Sequence, residues 1–201
     1  VDRNGDGVIN TGANTLDKPG DRYIIGNSIP RYNYSFRGDI DWHGVSLSVF
    51  FQGVGHCDWM PPKNCSYFWG FYGFPASSFV PKDFASVTWT PENRNTYLPR
   101  RRGYSSYSNC AMGVASDYFL QNAAYIRLKN LTLGYTLPLR PNKAVEKVRF
   151  YLTGENLWYW SPMKRHTKYV DPEVATASSK QSDDCIYPFS RTVSFGVDIT
   201  F

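Results

Sequence analysis

Ser190-Arg-Thr-Val-Ser-Phe-Gly-Val-Asp-Ile-Thr-Phe201 alternates without a break. Val193, Phe195, Val197, Ile199 and Phe201 share one face of an extended chain, and Thr192, Ser194, Gly196, Asp198 and Thr200 share the other. A strand that is apolar on one side, polar on the other and closed by an aromatic suits a barrel in lipid. Its outward face meets hydrocarbon and its inward face meets water or protein. A soluble sandwich edge carries the same pattern, so the weight rests on the segments that repeat it.

The composition of the 201 residues agrees with a barrel. Aromatics make up 17% (15 Tyr, 13 Phe, 6 Trp), yet mean hydropathy is negative. No stretch approaches the roughly 18 apolar residues of a membrane-spanning helix. The net charge is +5, with basic residues scattered apart from Arg100-Arg101-Arg102, which reads as a solvated loop rather than a nucleic-acid site. The chain opens on Val1 inside a motif and without a methionine, so a fragment of a longer protein is the expectation.

Five strands are predicted, at about 32–42, 45–54, 124–137, 148–160 and 190–201. His43-Gly44 is a hairpin turn between the first two. A stretch rich in Gly, Pro, Ser and aromatics runs from about 55 to 122, a short connection spans 138–147, and a second long loop spans about 161–189. Short and long connections therefore alternate, the asymmetry of outer-membrane barrels with tight periplasmic turns and long extracellular loops. A compact soluble domain would have to explain a loop of nearly 70 residues between neighbouring strands. The fold class expected is all-β: an antiparallel transmembrane barrel segment with two long extracellular loops and a periplasmic C-terminus.

One strand breaks parity. Ile126 and Leu128 are followed by Leu131, Leu133, Tyr135 and Leu137. The switch near Lys129-Asn130 implies either a β-bulge or an upper half standing above the membrane, the second being preferred. Trp158, Tyr159 and Trp160 sit where an aromatic girdle belongs.

Asp2-Arg-Asn-Gly-Asp-Gly-Val-Ile9, Asp21-Arg-Tyr-Ile-Ile-Gly-Asn27, Pro30-Arg-Tyr32, Leu47-Ser-Val-Phe-Phe-Gln-Gly53, Trp89-Thr-Pro-Glu-Asn93 and Pro99-Arg100 follow in order. Tyr125-Ile-Arg-Leu-Lys-Asn-Leu-Thr-Leu-Gly-Tyr-Thr-Leu-Pro138 and Phe150-Tyr-Leu-Thr-Gly-Glu-Asn-Leu-Trp158 complete the series. Together they resemble the C-terminal barrel segment of the SusC/RagA family of TonB-dependent outer-membrane transporters. The resemblance implies about the last five strands of a 22-stranded barrel, with the N-terminal plug and earlier strands outside this chain. It also implies a SusD-like surface lipoprotein as lid, TonB acting through the missing N-terminal part, outer-membrane lipid around the wall, and oligosaccharide or peptide as cargo. The alternative is a self-contained extracellular β-rich module for carbohydrate binding or adhesion, with no transport role.

Asp2, Asn4, Asp6 and Val8 match the first part of a calcium loop, in which oxygens alternate around a hard cation. Ala13 occupies the place of the closing Glu, so the loop is not an EF-hand. A Ca2+-stabilised turn and an Asx/Gly turn bonding its own backbone remain the two readings; no cofactor is required. Cys57, Cys65, Cys110 and Cys185 all lie in the long loops, and an even count outside the cytoplasm reads as disulfides. Of the three connectivities, the first choice is Cys57–Cys65 with Cys110–Cys185. The dispersed His43, His56 and His166 make no catalytic constellation, and no enzyme is expected. Trp59, Tyr67, Phe68, Trp69, Phe71 and Tyr72, with Arg100 and Arg101, are the candidates for ligand or lid contact. The plainer reading packs those rings against their own loop.

Overall fold

The computed structural model describes residues 2–63, 65–76, 78, 80–107, 110–139, 145–177 and 189–201. Its main element is a five-stranded antiparallel sheet. β1 (Asn33–Trp42) and β2 (Val45–Val54) form a hairpin, and a small antiparallel pair follows, β3 (Asp58–Trp59) with β4 (Gln121–Asn122). β5 (Tyr125–Thr136), β6 (Lys147–Trp160) and β7 (Thr192–Thr200) complete the large sheet, whose order is β1-β2-β5-β6-β7. At the hairpin tip His43 and Gly44 both take positive φ (47° and 83°), the twist that a two-residue hairpin favours. The outermost strands, β1 and β7, leave the sheet open rather than closed into a barrel.

Register sorts the side chains into two faces, because residues directly opposite in an antiparallel pair point the same way. Ile40 faces Leu47, Leu47 faces Leu133, Leu133 faces Leu152 and Leu152 faces Phe195. This row crosses all five strands on the apolar face. The adjacent row on the opposite face runs Asp41, Ser46, Gly134, Tyr151 and Gly196. Phe195 is 69% exposed and Val193 65% exposed, so the apolar face is uncovered.

The parity switch in β5 is a bulge. Phe50 pairs with Asn130 but Phe51 pairs with Leu128, so Lys129 is the extra residue. β6 shifts at the same level, Leu128 facing Trp158 and Asn130 facing Glu155. Asn156 there takes a positive φ of 52°, a conformation Asn tolerates better than most residues. The extra residue keeps Ile126 and Leu128 on the face of Leu131 and Leu133, and turns Arg127 to the polar side. A bulge accounts for the switch, in place of the upper half above the membrane that the sequence reading preferred.

The buried core lies beyond the sheet. Trp59, Phe68, Trp69, Tyr72, Phe84 and Phe119 cluster with Met163 and Val170, joining the stretch after β2 to the one after β6. Short helices belong to this cap, among them α1 (Ser66–Trp69), α2 (Phe84–Val87) and α3 (Pro172–Ala177). The cap stands at the end of the strands opposite the His43-Gly44 turn, because β2 and β6 lead into it and β5 leads out.

Candidate functional site

Two features of the cap carry chemistry: a buried charge cluster where it meets the sheet, and a cavity within it. The cluster begins with Arg127. Its side chain is 1% exposed and Asp171, at the start of α3, is 2% exposed. Arg127 Nη2 donates to Asp171 Oδ2 at 2.5 Å, and Arg127 Nε lies 2.9 Å from Glu173 Oε2. Lys129 Nζ donates to Glu173 Oε1 at 2.6 Å. The Arg127 guanidinium also lies over the Tyr159 ring, 4.7 Å from its centroid. Two cations thus meet two carboxylates, and Asp171 Oδ1 also accepts from Glu173 N at 3.0 Å. Charges removed from water need such pairing. The bulge supplies the geometry: it places Arg127 and the extra Lys129 where both reach one helix start.

The cavity, about 320 Å3, opens between α1, α2 and residues 165–169. Tyr67, Phe68, Phe84 and Tyr97 give it apolar wall, and Asp83, Asn95, His166 and Lys168 give it polar rim. Lys168 Nζ donates to Asp83, which raises the lysine above its ordinary value and lowers the carboxyl below its own. His166 stacks on Tyr97, ring centroids 3.7 Å apart. Burial, then the charge of Arg165, lowers His166 from its ordinary value, so the ring is neutral near pH 7. Burial pushes the Tyr97 hydroxyl up to about 12; it accepts from Gln121 Nε2 at 2.9 Å.

Most of the loop aromatics named as contact candidates are interior. Trp69 and Tyr72 are fully buried and Trp59 is 6% exposed, which corrects their assignment to ligand or lid contact. Trp69 Nε1 donates to Pro62 O at 2.8 Å, and the Trp69 ring meets Phe68 and Phe119 edge-on. The cap needs these large rings because it has little regular structure to build a core from. Tyr67 and Phe71 pack against the core while staying partly exposed, and Tyr67 lines the cavity. Arg100 and Arg101 are exposed and do not line it.

The turn at Asp2–Val8 is organised by its own backbone. Asp2 accepts from Gly5 N at 2.7 Å and Gly7 N at 2.8 Å, and Asp6 accepts from Val8 N at 2.8 Å. Asp21 closes the turn by accepting from Arg3 N and Asn10 N. These are the bonds of an Asx/Gly turn. Among the described residues no group of three or more His, Cys, Asp or Glu side chains could hold a metal ion.

Cys57 and Cys65 are not joined, a correction to the pairing expected. Cys57 is a buried free thiol with Ser28 O at 3.2 Å, packed with Val54 and Tyr125. Cys65 belongs to the separate cluster around Trp69, so the two sulfurs sit in different pieces of core. Cys110 is exposed and its thiol is free in this structure, while Cys185 lies outside the described residues.

No protein-family model matches the sequence. Over 211 residues the chain is 26% identical to TonB-dependent receptor P26 of Formosa agariphila, covering 100% of this chain and 19% of that protein. TonB-dependent receptor P3 of the same organism is 28% identical over 212 residues, covering 100% of this chain and 18% of that protein. Among solved structures, the RagAB peptide importer in its closed-closed state superposes with a TM-score of 0.61 at 25% identity, covering 93% of this chain and 19% of that one. The chain spans about a fifth of the length of these relatives, which are named as receptors and an importer rather than enzymes.

Proposed function

We propose that this chain, a relative of the TonB-dependent receptors that resembles the SusC/RagA family, builds a section of barrel wall and extracellular cap in an outer-membrane importer of nutrient oligomers. The observation that carries this reading is the register. Paired positions through Ile40, Leu47, Leu133, Leu152 and Phe195 make one continuous apolar face, and that face is uncovered. An uncovered apolar sheet of this extent suits hydrocarbon, and an open-edged sheet suits continuation by further strands.

In this assignment the strands lie in the outer membrane with the apolar face toward lipid. The His43-Gly44 turn and the C-terminal strand end are periplasmic, and the cap is extracellular. The polar face, with Asp39, Ser48, Thr132, Thr153 and Ser194, lines the lumen. A SusD-like lipoprotein closes over the cap, and TonB acts through a plug outside this chain. The cargo is an oligosaccharide or a peptide.

The test is extraction of the native polypeptide from outer membranes. A detergent-requiring protein on the order of 100 kDa, the size a 22-stranded barrel with a plug demands, co-purifying with a lipoprotein, is the expected result. A water-soluble monomer near 23.0 kDa would overturn the importer reading in favour of a free-standing module.

A further inference from the structure

We infer that the cap cavity is a binding site for a single neutral sugar ring, separate from the lumen that the polar face of the sheet lines. At about 320 Å3 it stands at the small end of ligand sites, which run from roughly 300 to 1,000 Å3. That is room for one ring rather than an oligomer.

Its lining is mixed in the way a pyranose requires. Aromatic walls from Tyr67, Phe68 and Phe84 offer ring surfaces whose negative π-faces attract the polarised C–H bonds of a sugar's apolar side. The same lining carries a carboxylate that accepts, an ammonium that donates and an amide that does both: Asp83, Lys168 and Asn95. Asp83 and Lys168 pair with each other, so they present hydrogen-bonding capacity with their charges cancelled, and His166 adds a neutral ring. Arg165 contributes a further donor at the rim. An apolar side chain would offer Asn95 no partner and the Asp83–Lys168 pair nothing beyond itself, which is costly wherever they lose water. A ring edged with hydroxyls satisfies them.

The inference uses the importer reading only to place the cap outside the cell; binding itself is independent of transport. The experiment is saturation-transfer NMR on the full-length transporter in detergent. The probes are the methyl glycosides of glucose, mannose, galactose and N-acetylglucosamine, with N-acetylphenylalanine amide as the apolar comparison. At least one glycoside is expected to bind in the millimolar range, and to lose about tenfold in affinity in Ser86→Trp, which fills the cavity mouth. Asn95→Ala, at an exposed position, should weaken binding in the same direction without lowering the unfolding temperature, so the result stands even if Ser86→Trp fails to fold. Glycosides that do not bind, bind equally well to both variants, or are displaced by N-acetylphenylalanine amide from a site it prefers would overturn the assignment. Failure here leaves the outer-membrane extraction result untouched, so the two readings fall separately.

Discussion

Arg127 in β5 and Asp171 at the start of α3 are 44 positions apart in the chain and share an ion pair from which water is excluded. It fastens the cap to the sheet at one point. Arg127→Met strands Asp171 and leaves Glu173 to Lys129 alone, and should lower stability by about 3–5 kcal/mol, the cost of breaking a buried pair from one side. Arg127→Met with Asp171→Leu should cost clearly less than the sum of the single changes. A double-mutant cycle from denaturant unfolding of the full protein in detergent measures the coupling; additive changes would show that the pair is not energetically linked.

The two faces of β7 make opposite predictions one residue apart. Phe195→Lys places an ammonium on the apolar face and should cost about 2–4 kcal/mol if that face meets mid-membrane lipid. Ser194→Lys, on the polar face, should cost much less. Reversible unfolding in bilayers distinguishes them, and equal losses would mean that lipid does not contact this face.

Acid should loosen the cap. Burial holds His166 below its ordinary value of 6.5 in the folded state, so the unfolded chain binds more protons in the interval between the two. Stability therefore rises with pH across that interval: the contribution is complete above about 6.5 and is lost as pH falls through the folded value. Limited proteolysis of the cap from about pH 8 down to about pH 5 should accelerate in the wild type. In His166→Phe, which keeps a ring against Tyr97, that acceleration should be reduced.

Thiol accessibility should follow burial. Cys110 should alkylate rapidly in the native protein, whereas Cys57 and Cys65 should react only after unfolding. Desolvation, then the neighbouring charge of Asp58, raises the Cys57 thiol above its ordinary value, which slows it further because the thiolate is the reactive form. Peptide mapping after native labelling reads all three. Failure of Cys110 to label under non-reducing conditions, with labelling restored by reductant, would locate it in a disulfide.

The strands were legible because their signal is local. A two-residue period and the His43-Gly44 turn need no knowledge of distant residues, and alternation in residues 45–54 coincides with Val45–Val54 in the structure. The parity switch was visible too, since one extra residue leaves its mark within one strand. The cap was not legible. Arg127, Asp171 and Glu173 meet across 44 and 46 positions, and Asp83 meets Lys168 across 85, with no periodicity to announce either contact. Trp69 and Tyr72 stood between two readings, ligand or lid contact and packing within their own loop, because an aromatic-rich loop gives no sign of whether its rings point out or pack inward. Here the loop builds its own core, so they pack inward.

The bulge at Lys129 changes how length variation in this strand is tolerated. Removing any one residue from a regular strand exchanges its inward and outward positions on one side of the cut. Removing Lys129 would instead straighten the ladder and leave Ile126 and Leu128 on the apolar face and Arg127 on the polar one, so the anchor to Asp171 would survive. Related sequences can therefore lose this one residue and keep both faces of the strand, whereas a single deletion elsewhere in β5 should appear only with a compensating change in the same strand.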